Sequence, residues 1–369
     1  MPQIVALVPA YNEAESIAST LEALLNQERI PDRIIVVPNG CTDDTAKIAR
    51  GFDVTVLELP KLEHKKSQAL NTAWSQFARD ADIVICLDAD TILPPNAVKD
   101  WEQEFDRESD RVLSDGQRLR QRPLGGSSSK FTMRGEDFLT RLQRAEFARW
   151  TDTALARGWT SVLAGTGCAI SGEALRRVVE FTGREGPWSY DSQVEDFELT
   201  YMIRKLGYRC QVSPTVRAYT DSMKTVRSLW GQRMKWQVGT VEDLLSLGFN
   251  RLTMIDWWQQ VAGLFMAAVR VLWIALIILM STLGILHFQI FWWVIIPALF
   301  VGVELYSALR IPHRDRTDVI LACLIIPAEI FAWLRAGWFV KAWIDVLASR
   351  ITGRRKDRWQ LQYAAEAAK

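Results

Sequence analysis

Ile83-Val84-Ile85-Cys86-Leu87-Asp88-Ala89-Asp90 is the stretch on which the fold turns. The apolar run is too short and too β-branched for a helix and reads as a buried strand. It ends in two carboxylates spaced two residues apart. Open α/β sheets bind ligands beyond the C-terminal ends of their strands, so the pair stands where a ligand would sit. Two carboxylates on a rigid edge suit a hard divalent cation that also holds phosphate oxygens. Taken alone, the triplet reads equally well as a solvated turn at a strand end, and the neighbouring sequence has to decide.

Upstream, residues 4–8 read as a strand closed by Pro9-Ala10-Tyr11-Asn12-Glu13, followed by a helix with Ile17, Leu21, Leu24 and Leu25 on one face. Residues 34–37 form the next strand, ending in Pro38-Asn39-Gly40-Cys41. Thr42 is the expected N-cap of a helix running through Ala49. A third strand is expected over 54–57 and a third helix over 68–77. Repeated strand-helix units of this length argue for a parallel sheet of the nucleotide-binding type. Residues 111–130 break the pattern with several arginines and then Gly125-Gly126-Ser127-Ser128-Ser129. They read as a strand followed by a mobile loop, with a lid near phosphates as the functional alternative. Helical periodicity returns over 136–156 through Phe138, Leu142, Ala145 and Trp150.

The 369 residues carry a net charge of +1, which gives no field for nucleic acid. The five cysteines, Cys41, Cys86, Cys168, Cys210 and Cys323, lack metal-site spacing and read as buried thiols in a reducing compartment. Met1-Pro2-Gln3 leads straight into a strand without a signal-type stretch, so the N-terminal domain is expected in the cytosol.

From about Val261 the chain turns intensely apolar and Trp-rich. Residues 261–269 and 271–286 together exceed the roughly 20 needed to cross a bilayer. A second run, 288–309, is interrupted by Pro297 and Glu304, and His287 between the runs suggests a helical hairpin. The basic loop Arg310-Ile311-Pro312-His313-Arg314-Asp315-Arg316 then faces the cytosol by the positive-inside rule. A third run, 319–340, contains Pro327, Glu329 and Arg335, and precedes the cluster Arg350, Arg354, Arg355, Lys356 and Arg358. A full crossing would export that cluster, so a re-entrant or interfacial pair is preferred to a span. Arg270 and Glu304 are costly against lipid. They read either as snorkelling or paired groups, or as a polar lining for a lipid headgroup or a growing chain.

Several ordered motifs together carry a resemblance. Val8-Pro9-Ala10-Tyr11-Asn12-Glu13, Asn39-Gly40-Cys41-Thr42-Asp43-Asp44, residues 66–71 and Asp88-Ala89-Asp90 follow one another, then Gly165-Thr166-Gly167, Glu195-Asp196 and Gln232-Arg233-Met234-Lys235-Trp236. Over about residues 3–240 this resembles the family 2 glycosyltransferases, which have the GT-A fold and invert the anomeric centre. The layout is most similar to membrane-bound polysaccharide synthases such as cellulose and hyaluronan synthases, and ceramide glucosyltransferases share similar motifs. The resemblance implies an α/β GT-A domain with a mostly parallel sheet over 1–225. Amphipathic interface helices would follow over 226–260, a membrane region over 261–345 with spans near 262–286 and 288–309, and a basic cytosolic tail over 346–369. It implies a multi-pass protein of the cell membrane.

The same resemblance assigns roles. Asp90 is the ligand of Mg²⁺ or Mn²⁺, and Asp88 contacts the nucleotide or helps hold the metal. Asp196, beside Glu195, is the general base that takes the acceptor proton. The alternative for Glu195, Asp196 and Glu198 is the acidic first turn of a helix. Pro9, Tyr11 and Glu13 lie at the donor, with Tyr11 and Glu13 near base and ribose. Asn39 stands where the family often has Asp, so uracil recognition persists in altered form at most. Lys66 reaches a phosphate or is a solvated helix-start lysine. Gly165, Thr166 and Gly167 admit an acceptor sugar close to the backbone, or form a plain turn. Gln232, Arg233 and Trp236 offer an acceptor platform, and Lys235 stands in the position of an arginine that serves the diphosphate. Lysine keeps the charge without the bidentate fork.

The expected partners are a nucleotide-diphosphate sugar, a glycan or lipid-linked acceptor, membrane lipids and, in one arrangement, further copies of the chain; nucleic acid is not among them. A single-sugar transfer to a polyprenyl phosphate or glycolipid is the nearest alternative. A nucleotidyltransferase would show an early Gly-rich phosphate loop, absent here. An inactive membrane scaffold would not need Asp88, Asp90, Asp196 and Trp236 together.

Overall fold

The computed structural model describes residues 1–113, 122–285, 287, 294–311, 314–353 and 356–367. Part of the arginine-rich stretch, Leu286, the start of the 288–309 run, Pro312, His313, Arg354 and Arg355 therefore lie outside the described residues. The chain forms two compact units, residues 1–134 with 150–221, and residues 135–149 with 222–369.

Up to residue 221 the described residues give β1 (Ile4–Ala10), α1 (Ile17–Leu25), β2 (Arg33–Pro38), α2 (Thr45–Ala49), β3 (Thr55–Val56), α3 (Lys65–Ala73) and β4 (Ile83–Cys86). There follow α4 (Ala97–Leu113), β5 (Leu124–Met133), α5 (Phe138–Arg157), β6 (Cys168–Ser171), α6 (Gly172–Thr182), α7 (Glu195–Lys205) and β7 (Arg209–Thr220). The strands make one sheet in the order β3-β2-β1-β4-β6-β5-β7. β3, β2, β1 and β4 run parallel, as do β5 and β7, and β6 opposes both of its neighbours.

β1 and β4 are nearly unbroken apolar runs because helices cover the sheet on both faces. Leu7, Ile35 and Ile85 are fully buried, each contributing roughly 1.5–3 kcal/mol relative to exposure. Leu70 and Trp74, with Leu175 of α6 and Leu199 of α7, close one side of this core. Leu7 pairs with Cys86 in register, so the chain after β1 and the triplet after β4 leave the sheet at the same end.

Several boundaries depart from expectation. Gly125-Gly126-Ser127-Ser128-Ser129 is not a loop but the buried body of β5. A Cβ on Gly125 would sit 2.5 Å from Ile203, and one on Gly126 would sit 2.4 Å from Leu163. The glycines thus let neighbouring elements approach the strand. Ser127 donates to Glu104 at 2.5 Å, and Ser128 Oγ accepts from the Ala164 amide at 3.2 Å. The second helix begins at Thr45, with Asp44 rather than Thr42 before it. The third strand is shorter than expected, and α3 starts earlier, then continues as a π-helical turn over Trp74–Ala78. All five cysteines are free; Cys86, Cys168 and Cys210 are buried, Cys41 is half-buried and Cys323 is exposed.

The second unit holds α8 (Val226–Leu247), α9 (Met254–Thr282), α10 (Ile296–Ala308), α11 (Arg316–Cys323), α12 (Ile325–Thr352) and α13 (Arg358–Ala367). Thr225 and Ser228 form a capping box at the start of α8. The interface helices expected over 226–260 are divided at Gly248, which at φ +74° ends α8, and Trp257 and Trp258 belong to α9. Leu229, Met234 and Val238 of α8 pack on Phe331, Trp338 and Ala342 of α12.

Among the described residues one helix, α9, is by itself long and apolar enough to cross a membrane, with a mean hydropathy of 2.4. It starts at Met254, earlier than the expected span near 262–286. Residues Pro297–Ala308 form a shorter apolar helix, and α11 and α12 meet at a bend of 78°. Arg270 pairs with Glu329 at 3.5 Å, and Glu304 pairs with Arg149, so both intramembrane-type charges have partners.

Candidate active site

The first unit gathers its chemistry at the shared end of β1 and β4. The Asp88 amide donates to the Gly165 carbonyl at 3.0 Å, which ties the triplet to the 165–167 turn. Lys66, at the start of α3, reaches Asp88 Oδ1 at 2.6 Å and Glu195 Oε1 at 3.2 Å. Burial works against the Lys66 charge, but Asp88, Glu195 and Asp196 outweigh it and hold the ammonium protonated well above the ordinary lysine range. A Cβ on Gly165 would stand 2.6 Å from Lys66 Nζ, so glycine leaves room for this ion pair. The residue thus has a role beyond the expected admission of an acceptor.

Glu195 and Asp196 open α7, where the helix dipole favours acids. Asp196 Oδ1 accepts from the Phe197 amide at 2.8 Å. Asp196, Glu195, Asp88, Lys66, Gly165 and Pro9 line one small cavity of about 20 Å³, room for about one water. The acids thus stand in the first turn of the helix, and that turn faces the cavity.

The approach to α7 is fixed from α3. Asn71 Nδ2 donates to the Trp188 carbonyl at 2.8 Å, and its Oδ1 accepts from the Trp188 amide at 3.0 Å. His64 stacks on Tyr190 with ring centroids 4.4 Å apart. Arg184 grips the buried Glu198 with both nitrogens, at 3.0 and 2.6 Å. His64, Arg184, Trp188 and Tyr190 were not singled out from sequence, whereas Asn71 closes the 66–71 motif and Glu198 belongs to the acidic turn.

Asp90 lies deeper. Its oxygens accept from Thr91 and Thr220 hydroxyls, each at 3.1 Å. Burial first, then the neighbouring carboxylates Asp88 and Asp221, push its pKa up to about 6. Asp221 escaped the sequence reading. It follows β7, which bridges to Ile92 through paired backbone bonds at Tyr219, and it pairs with Arg134 at 2.9 Å. Among the described residues no three His, Cys, Asp or Glu side chains form a ready metal cage. Crowded carboxylates with few protein ligands fit a cation that completes its shell with phosphate oxygens and water.

Pro9 lines the cavity; Tyr11, Asn12 and Glu13 continue from it. Asn12 has φ +56°, and its Oδ1 accepts from the Thr42 amide at 2.8 Å. Glu13 receives the Ser16 hydroxyl at 2.7 Å. Asn39 is buried, and its Oδ1 accepts from the Leu62 amide at 3.1 Å, so this oxygen is already engaged. Gly167 takes φ +145°, and Ser129 donates its amide to the Gly167 carbonyl at 2.8 Å. The Thr166 hydroxyl is buried without a hydrogen-bond partner among the described residues.

Gln232, Arg233, Lys235 and Trp236 belong to the second unit, on α8. Arg233 is buried between the rings of Phe147 and Trp236, 4.7 and 4.5 Å from their centroids, and pairs with Glu146 at 2.8 Å. Gln232 accepts from Arg233 at 3.3 Å. Lys235 Nζ lies 3.3 Å from the ring centroid of Trp359 on α13.

The sequence model of the Glycosyltransferase like family 2 matches residues 2–239, well over half of the chain. The chain belongs to this family. Membership makes it a glycosyltransferase, and the elements just described are the family's domain. It is 27% identical over 281 residues to the poly-beta-1,6-N-acetyl-D-glucosamine synthase of Staphylococcus aureus, covering 75% of this chain and 63% of the relative. The synthase of Staphylococcus epidermidis matches at 26% over 249 residues, with 65% and 55% covered. The chain thus spans less than two thirds of the length of these curated relatives. Among solved structures, a mannosyltransferase from Pyrobaculum calidifontis in complex with GDP-Man and Mn²⁺ superposes with a TM-score of 0.56 at 18% identity, covering 94% of this chain and 87% of that one. The glycosyltransferase has the same GT-A-like α/β fold, with a mostly parallel mixed sheet.

Proposed function

We propose that the protein transfers a sugar from a nucleotide-diphosphate sugar to a glycan or lipid-linked acceptor, with inversion at the anomeric carbon. One observation carries this reading: Lys66 bridges Asp88 and Glu195 in a cavity that Asp196 also lines. This proximity supports a displacement whose leaving-group side and base side lie close together.

In the proposed step the acceptor hydroxyl oxygen forms a bond to the anomeric carbon. The bond from that carbon to the diphosphate oxygen breaks, and its electron pair leaves on the nucleoside diphosphate. Asp196 receives the hydroxyl proton. Glu195 holds Lys66, and Lys66 in turn places positive charge beside Asp88, where the diphosphate is expected. Asp90 and Asp88 would hold Mg²⁺ or Mn²⁺, whose chemistry is to neutralise the departing diphosphate. Pro9, Tyr11, Glu13 and Asn39 are assigned to the donor, and Gly165, Thr166 and Gly167 to the acceptor. The orphaned Thr166 hydroxyl supports a polar ligand at that turn. For the second unit we assign Lys235 to the diphosphate and Gln232, Arg233 and Trp236 to the acceptor.

We further infer a membrane-anchored enzyme with its first unit in the cytosol, which the apolar helix α9 supports. The likeness to poly-beta-1,6-N-acetyl-D-glucosamine synthases supports a hexosamine donor and a glycan product. The test is a screen of UDP- and GDP-sugars with detergent-purified protein, Mn²⁺ or Mg²⁺, and membrane lipids. Released nucleoside diphosphate and labelled product are read together. The expected result is metal-dependent release that disappears in Asp196→Asn, with product size separating polymer from glycolipid. Absence of both turnover and nucleotide binding would sink the proposal in favour of an inactive scaffold.

A further inference from the structure

The second unit encloses a cavity of about 350 Å³ among α5, α9, α10, α11 and α12, a volume within the range of small-ligand sites. Its wall holds four carboxylates, and each is already taken. Glu146 is held by Arg233 at 2.8 Å, Glu304 by Arg149, and Glu329 by Arg270 at 3.5 Å. Asp318 is shared by Arg141 and Arg144, each at 3.1 Å, and Arg141 also reaches Asp315, which is not in the wall. Arg335 joins the wall from α12 and has no ion pair or hydrogen bond among the described residues. These six arginines thus surround five carboxylates, and the surplus guanidinium is Arg335. Burial disfavours the Arg233 cation, Glu146 opposes that effect, and the charge of Arg335 adds to it.

The other side of the wall is apolar, with Leu299, Phe300 and Val303 of α10 and Ile325 of α12, all of them also exposed. Arg335 is itself exposed, on a helix that also exposes Ile330, Trp333 and Val340. An unpaired guanidinium among such side chains is costly against lipid tails. A cation would add to the surplus, and a neutral headgroup would leave it in place. A phosphate matches the guanidinium fork and removes the surplus. The exposed apolar wall beside it calls for alkyl chains on the same molecule. We propose that this cavity binds the phosphate-bearing headgroup of an anionic lipid, with Arg335 on the phosphate and the chains along the exposed apolar side chains of α10 and α12. The site rests on the membrane-anchored reading given above and not on the transfer chemistry, because its binding is read with no donor present.

The test is native mass spectrometry of the full chain in mild detergent with two probes of equal chain length, oleoyl lysophosphatidate and monooleoylglycerol. The expected result is greater occupancy by lysophosphatidate, by at least about tenfold, the worth of one hydrogen-bonded charge pair. Arg335→Gln should remove that preference, and Arg335→Lys should restore part of it. Lysophosphatidate should raise the thermal unfolding midpoint of the wild type, where inorganic phosphate alone does not. Preference for monooleoylglycerol, equal lysophosphatidate adducts in wild type and Arg335→Gln, or an equal rise with inorganic phosphate would overturn the proposal. If Arg335→Gln does not fold, the two wild-type comparisons still decide. Sedimentation of the chain with alkali-washed membranes reads the anchoring itself, so a chain without an anchor and a chain without the lipid preference are told apart.

Discussion

The two units treat charge in opposite ways. In the first, Asp88, Asp90, Glu195 and Asp196 crowd one sheet edge around the ammonium of Lys66, with Asp221 beyond it paired to Arg134. In the second, the carboxylates Glu146, Glu304, Asp318 and Glu329 are each held by an arginine. An acidic excess is unfinished and calls for positive charge from outside, which a divalent ion carried with a diphosphate supplies. Carboxylates that are each held by an arginine are complete as folded. The difference teaches that an excess of acidic charge, rather than the number of charged residues, marks a place for chemistry.

Removing the base should have the largest effect. Asp196→Asn is expected to lower kcat by about 10²–10⁴-fold. The asparagine oxygen can still accept from the Phe197 amide, so circular dichroism and the denaturation midpoint should stay near wild type. A small change in kcat would break the assignment of the acidic edge to chemistry.

Lys66→Met comes next, because it leaves Asp88 and Glu195 without their cation; a loss of about 3 kcal/mol in denaturation of the full chain is expected. The pH dependence follows from the raised Lys66 pKa. A lysine whose folded pKa exceeds its unfolded value contributes fully below the unfolded value, about 10.4. Its contribution declines as pH rises through the folded value. The gap between wild type and Lys66→Met should thus hold from about pH 7 to 9 and narrow above about pH 10.4.

Asn71→Ala removes both bonds to the Trp188 backbone and should cost about 2 kcal/mol, with a fall in kcat as the approach to Glu195 loosens. Rescue of kcat by Asn71→Asp is not expected, since the carboxylate cannot donate to the Trp188 carbonyl. The smallest effect belongs to the second unit. Lys224→Met breaks a 3.5 Å pair with Asp137 whose side chains are 57% and 44% exposed, and a change within about 1 kcal/mol is expected by thermal unfolding. A large loss there would show that the second unit depends on its ion pairs as heavily as the first does.

Much of this was legible in the sequence, and the reasons for the failures are physical. The strand carrying Asp88 and Asp90 declares itself through its apolar run, and the parallel β1, β2 and β4 through alternation with amphipathic helices. Gly125 to Ser129 misled because small polar residues are loop-formers locally. Pairing with β6 and β7, distant in sequence, makes them a strand, and the glycines leave room for Ile203, Tyr208 and Leu163. Asp221 carried no local signal, since it reaches the Asp90 neighbourhood through β5–β7 pairing and the bridge from Ile92 to Tyr219. Gly248 divides the interface region expected over 226–260. The many aromatic and basic residues on both sides hide that break, and Trp257 and Trp258 belong to the helix after it.

The most direct test of the charge imbalance is Mn²⁺ titration by calorimetry, with and without UDP or GDP, on wild type and Asp90→Asn. The account predicts weak metal binding alone, at least tenfold tighter binding with the matching nucleoside diphosphate, and loss of that gain in Asp90→Asn. Nucleoside diphosphate that binds equally well in chelator and in Mn²⁺ would contradict it.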